Sequence, residues 1–158
     1  MKCFLVLSSV LYSSISFSKP ITISVDCGNI SIELLEKGSL NTQIIQAGDN
    51  KPVVTLQDEQ LTIKHLPKCN NGASISIKLP VTDSIDLQMG AGNLKIKGTS
   101  YITKTHRIKT SVSAGNIESQ VPTIRTSRST ASMTAETDIN TDKNFKAQLG
   151  AGNISFLP

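Results

Sequence analysis

The sequence is poor in the residues that most often mark chemistry. In 158 residues it has no tryptophan, three cysteines and two histidines, and aromatic residues make up 4% of the chain. So few aromatic side chains leave little to stack against nucleic-acid bases or sugar rings, and we do not expect a nucleic-acid partner. The cysteines and histidines form no CxxC or Cys/His grouping, so the sequence predicts neither a metal site nor a cofactor.

Candidates for catalysis are equally scarce. His65 and His106 lie in strand-like runs without a nucleophile motif beside them, which predicts surface or edge histidines. Carboxylate pairs such as Asp138 and Asp142 have a spacing that is common by chance. We therefore predict that the protein is not an enzyme. The alternative is a polysaccharide-active enzyme that uses carboxylates on adjacent coils.

The first eighteen residues have the pattern of a secretory signal peptide. Lys2 precedes an apolar stretch, and small residues stand at the positions expected for cleavage after Ser18. Residues 1–18 are thus predicted to be removed, which leaves residues 19–158 as one domain. No second apolar segment follows, so no transmembrane segment is expected in the mature chain. The predicted location is periplasmic, secreted or at the cell surface.

A short Gly-Asn box recurs along the chain. Its strong copies are Cys27-Gly28-Asn29-Ile30, Ala91-Gly92-Asn93-Leu94, Ala114-Gly115-Asn116-Ile117 and Ala151-Gly152-Asn153-Ile154. Weaker copies can be placed at residues 47–50, 71–75 and 137–139, which gives a period of about twenty residues, within the range of stacked coils or repeated hairpins. We interpret the Gly-Asn pairs as repeat turns, because glycine reaches positive φ freely and asparagine tolerates unusual backbone angles.

The apolar residues change parity at each box. Leu87 and Met89 precede the second box on odd positions, whereas Leu94 and Ile96 follow it on even positions. A corner that swaps parity keeps both flanking strands facing one interior. The mature chain is therefore predicted to be all-β, as a β-solenoid or β-helix-like repeat domain with an asparagine ladder at one corner. An antiparallel β-sandwich of Gly-Asn hairpins is the alternative.

Two cysteines remain after the predicted cleavage. In an oxidising compartment, Cys27 and Cys69 are expected to form a disulfide. The alternative is a small buried side chain at Cys27, where the other boxes have alanine, and a separate thiol at Cys69.

Positive charge is concentrated in the middle of the chain, and the whole sequence has a formal net charge of +4. The stretch between the second box and Glu118 has no acidic residue, and it carries Lys95, Lys97, Lys104, Arg107 and Lys109. Such a run is expected to form a solvated basic face. The alternative is a surface that binds nucleic acid, lipid head groups, an acidic glycan or another envelope component.

The Gly-Ala-Gly-Asn-Leu/Ile boxes on alternating strands, behind a signal peptide, resemble a bacterial family of putative adhesins, the head GIN domain and its relatives with β-strand repeats. The resemblance is strongest at residues 85–117 and 147–156. It implies a β-solenoid-like fold in exported or envelope-associated proteins, and it supplies no catalytic residues. We therefore expect an exported, non-catalytic module that acts by binding or as a structural element.

Overall fold

The part of the chain that the structure describes consists mainly of β-strands, as the alternating sequence predicts. The computed structural model describes residues 20–37, 41–46, 53–57, 60–64, 74–81 and 84–158, so the predicted signal peptide lies outside the described residues. The strands are β1 Ile21–Leu35, β2 Asn41–Gln46, β3 Val53–Gln57, β4 Gln60–Lys64, β5 Ser74–Pro80, β6 Ile85–Lys97, β7 Arg107–Ser119, β8 Arg125–Arg128, β9 Met133–Glu136 and β10 Asn144–Phe156. A single-turn helix, α1 Thr99–Ile102, separates β6 from β7.

Each strong box lies in the middle of one long strand, in β1, β6, β7 and β10. The box glycines have positive φ, from 129° at Gly92 to 150° at Gly115. This conformation bends the strand without ending it. We call the part before the box the first arm and the part after it the second arm. Residues on both arms are buried in one apolar cluster, for example Leu87 and Ile96, so the predicted change of parity is confirmed.

The four boxes align across one sheet. The strand order is β1-β6-β10-β7, all parallel, and the register places Gly28, Gly92, Gly152 and Gly115 side by side. These four boxes do not form the hairpin turns of the alternative prediction, since each arm pairs with the matching arm of another long strand. The order in space also differs from the order along the chain, because β10 lies between β6 and β7.

The remaining strands extend this sheet on both sides. Next to β1, β4 pairs with its first arm and β5 with its second arm, both parallel. Ile75 of β5, which ends the weaker copy at 71–75, lies opposite Ile30, whereas Gly72 of that copy lies outside the described residues. On the far side, β9 pairs antiparallel with the first arm of β7, and β8 pairs antiparallel with β9. The weaker copy at 137–139 is wrong, because these residues follow β9 and align with no box.

A single hydrophobic core lies against the inner face of both arms. Phe145 and Phe156, from the two arms of β10, are fully buried in it. Ile102 from α1 and Ile124 from the segment before β8 also belong to this cluster. His106 is fully buried as well, with Thr105 Oγ1 2.8 Å from its Nδ1, so the prediction of a surface or edge histidine is wrong at this position. His65 lies outside the described residues.

Candidate ligand-binding face

The column of glycines fixes the register of the four long strands. A Cβ atom built on Gly92 would overlap the carbonyl oxygen of Gly28, one on Gly152 would overlap that of Gly92, and one on Gly115 would overlap that of Gly152. Any larger residue would have to push the neighbouring backbone away. The positive φ disfavours other residues for a second reason. This packing aligns the outward side chains of neighbouring strands in rows.

An asparagine ladder runs beside the glycine column, as the sequence predicts. The side-chain amide of Asn93 donates to Asn29 Oδ1 at 2.9 Å, and that of Asn153 donates to Asn93 Oδ1 at 3.0 Å. The fourth member, Asn116, has other partners: its amide donates to Glu118 Oε1, and its Oδ1 accepts from Arg128, both at 3.0 Å. The ladder therefore spans three strands, and β8 supplies a polar contact at the fourth.

A row of uncharged polar residues crosses the outer face of the first arms. We call Ser24, Gln88, Gln148 and Ser111 the polar row, because the register places them opposite one another on β1, β6, β10 and β7. Neighbouring members are separated by one strand spacing, about 4.8 Å. The row therefore presents amide and hydroxyl groups at regular intervals.

Two lysines lie next to the polar row. Lys109 of β7 is directly opposite Lys146 of β10, and both side chains are exposed. An acidic residue flanks each lysine on the next strand: Glu136 of β9 lies opposite Lys109, and Asp86 of β6 lies opposite Lys146. In the part of the chain that the structure describes, neither lysine ammonium group lies within 4.0 Å of a carboxylate. The pair therefore forms a local positive centre between two acidic residues.

Adjoining clefts run along this face. A cleft of about 500 Å³ is lined by both lysines together with Thr134, Glu136, Ser111 and Gln148. A second cleft of about 650 Å³ shares Ser111 and Gln148 with the first and continues over Gly90 and Gly150 to the other end of the polar row. A Cβ on Gly150 would meet the carbonyl oxygen of Gly90 at 2.5 Å, so close strand packing keeps this floor free of side chains.

The basic residues singled out in the sequence lie on several different elements. Lys95 and Lys97 lie on the second arm of β6, and Lys104 follows α1. Arg107 holds the segment after β9, because its Nε donates to the carbonyl oxygen of Ile139 at 3.2 Å. Only Lys109 of that group lies in the lysine pair. Its partner Lys146 was missed, since it is distant in sequence and only the parallel register brings it near.

Of the two cysteines predicted to form a disulfide, only Cys27 lies within the described residues. Cys27 is buried, with 3% of its surface exposed, whereas the alanines of the other boxes are exposed. Cys69 lies outside the described residues, so the disulfide stays a prediction. No helix in the described ranges is long and apolar enough to cross a membrane.

No family model matches the chain, and no curated protein matches it. Among solved structures, the chain is similar to a putative cell adhesion protein from Clostridium sporogenes, with 10% sequence identity and a TM-score of 0.36, over 89% of this chain and 93% of that one. The resemblance to the head GIN domain stays a prediction.

Proposed function

We propose that this protein is an exported, non-catalytic β-repeat module that binds an acidic polysaccharide of the cell envelope or surface on the outer face of its first arms. The lysine pair, Lys109 and Lys146, carries this proposal. Like charges directly opposite in a sheet destabilise it. An anionic group between the two ammonium groups offsets this repulsion with two charge-assisted hydrogen bonds.

The surroundings of the lysine pair favour a polymer over a small anion. The two clefts adjoin at Ser111 and Gln148, so a ligand that meets the lysines can continue along the polar row. Sugar hydroxyl groups both donate and accept hydrogen bonds, and the amides and hydroxyls of the row can do the same. A chain of acidic sugars matches the positive charge of the lysine pair and can extend along the polar row.

The parallel, bent strands support a β-solenoid-like architecture as part of the proposal. In such a fold, stacked arms bury their apolar residues inside and present rows of equivalent positions outside. The glycine column and the asparagine ladder are two such rows. The place of β10 between β6 and β7 distinguishes this chain from a solenoid in which each coil contacts the next.

Binding is tested with polygalacturonate as the acidic polymer and dextran as the neutral one, by affinity electrophoresis at several salt concentrations. We expect polygalacturonate to retard the protein at low salt, dextran to have no effect, and salt to weaken the retardation. The double variant Lys109→Gln/Lys146→Gln should lose at least about tenfold in affinity, since each lysine contributes a hydrogen bond to a charged group.

Lys95→Gln/Lys97→Gln is the matched control, because it removes the same charge from exposed positions on the second arm of β6. It should bind polygalacturonate as the unaltered protein does. Equal losses in the two double variants would mean that net charge alone attracts the polymer, and the proposal would fail. A reducing-sugar assay on the same mixtures tests the absence of catalysis, because release of sugar ends would support the polysaccharide-active enzyme instead.

A further inference from the structure

Tyr101 differs from the two phenylalanines of the described chain in being exposed. Phe145 and Phe156 are fully buried in the core, whereas 47% of the surface of Tyr101 is accessible to solvent. It lies in α1, at the end of the sheet where β1, β5 and β6 finish. An exposed aromatic ring indicates a binding site only where other polar or apolar groups line the same cleft.

Tyr101 and five further residues line a cleft of about 370 Å³. They come from separate parts of the chain, after β1, after β5, and within or after α1: Glu36, Val81, Ser100, Lys104 and Thr105. The cleft thus combines an aromatic surface, an aliphatic side chain, a carboxylate, an ammonium group and two hydroxyl groups. Its volume lies at the small end of the range for ligand pockets.

The backbone that carries Tyr101 is held in place from several sides. Gly98, which precedes α1, has φ of 72°, and a Cβ there would meet the carbonyl oxygen of Leu34 at 2.6 Å. The absence of a side chain therefore lets α1 approach the end of β1, close to Glu36. The amide of Thr99 donates to the carbonyl oxygen of Leu157 at 3.1 Å, and Thr105 Oγ1 donates to that of Tyr101 at 3.0 Å. The backbone of Tyr101 is therefore held in place before a ligand binds, which lowers the entropic cost of binding.

We propose that this cleft binds a single hexopyranose ring, at a site separate from the lysine pair. The apolar face of the sugar packs on the ring of Tyr101, which combines an apolar surface with a polar hydroxyl. The Glu36 carboxylate accepts hydrogen bonds from sugar hydroxyl groups, and the Lys104 ammonium donates to sugar oxygens. An extended peptide fits less well, because one small cleft offers no row of backbone partners.

The test is an NMR titration of the ¹⁵N-labelled protein with glucose, N-acetylglucosamine and glucuronate. At least one of these sugars should give saturable shifts of the Gly98, Tyr101 and Lys104 amides at millimolar concentrations. Tyr101→Ala should weaken binding about tenfold, whereas Tyr101→Phe, which keeps the aromatic surface, should stay within about threefold. Glu36→Gln should weaken binding about threefold or more, because it replaces a charged acceptor.

Two results would overturn the assignment: no saturable shift with any of the three sugars, or binding by Tyr101→Ala equal to that of the unaltered protein. Both alanine and phenylalanine variants change an exposed side chain, so the folded spectrum should persist in each. The variant Lys109→Gln/Lys146→Gln separates this site from the acidic-polymer face. It should retain the sugar shifts at Tyr101, whatever its affinity for polygalacturonate.

Discussion

The side chain of Asn93 donates a hydrogen bond to that of Asn29 at 2.9 Å, although the two residues are 64 positions apart in the chain. The same side chain accepts a bond from Asn153 at 3.0 Å. Asn93 is thus the central member of the ladder, and it joins β1 to β10 through β6. This gives the ladder a direct thermodynamic test.

Asn93→Ala should destabilise the protein more than Asn29→Ala does, because the first removes two ladder bonds and the second removes one. Each bond contributes about 0.5–1.5 kcal/mol to the free energy of unfolding. Urea denaturation of both variants measures the difference. Equal losses would mean that the ladder bonds contribute nothing beyond the fit of each asparagine to its own backbone.

Gly152→Ala should lower the free energy of unfolding by about 2 kcal/mol or more. Its φ of 133° disfavours a side chain, and the added Cβ would overlap the carbonyl oxygen of Gly92. The neighbouring Ala151 is exposed, so Ala151→Ser is the control and should change stability by no more than about 0.5 kcal/mol. Thermal unfolding checks both variants, and an unchanged midpoint for Gly152→Ala would contradict the packing argument.

The predicted disulfide is tested by counting thiols in residues 19–158 under denaturing, non-reducing conditions. We expect no free thiol, because Cys27 and Cys69 are the cysteines of that segment. Reduction should then release two thiols and lower the free energy of unfolding by about 3–5 kcal/mol in the chain-entropy account. Two free thiols before reduction would disprove the bridge.

Export is tested by expressing the full sequence in a bacterium with a secretory pathway and measuring the intact mass of the exported protein. Cleavage after Ser18 predicts a mature chain that begins at Lys19. A protein that stays in the cytoplasm with residues 1–18 attached would refute both the signal peptide and the proposed location.

Local features of the fold could be predicted from the sequence. The alternation of apolar residues predicts the strands, and its change of parity at Gly92 predicts that both arms face one core, since both signals depend on neighbouring residues. Ile75, which ends one of the weaker copies, lies opposite Ile30 of the first box. The prediction of a weaker copy at Thr137 is wrong, because a pattern of three residues is too short to identify a box. In the structure, Thr137 Oγ1 instead accepts a hydrogen bond from the backbone amide of Ile108.

Features that depend on which strands are neighbours could not be predicted. The pairing of Lys109 with Lys146 requires β10 to lie next to β7 in parallel, and no local pattern determines that order. The same holds for the cleft at Tyr101, whose lining converges from three separate parts of the chain. The burial of His106 could not be predicted, because the residue lies between a single turn of helix and the start of β7, where the alternation of a strand does not indicate which side chains are buried.

The late position of β10 in the chain has a consequence for how the protein folds as it is made. Synthesis delivers the polypeptide from its N-terminus, and earlier segments can begin to fold first. Yet β6 and β7 acquire their shared neighbour only when residues 144–156 arrive. Until then both strands present unpaired edges, which are prone to pairing with other chains. The pairing of β10 with β6 and β7 therefore forms last. Before it forms, the protein is most prone to aggregation.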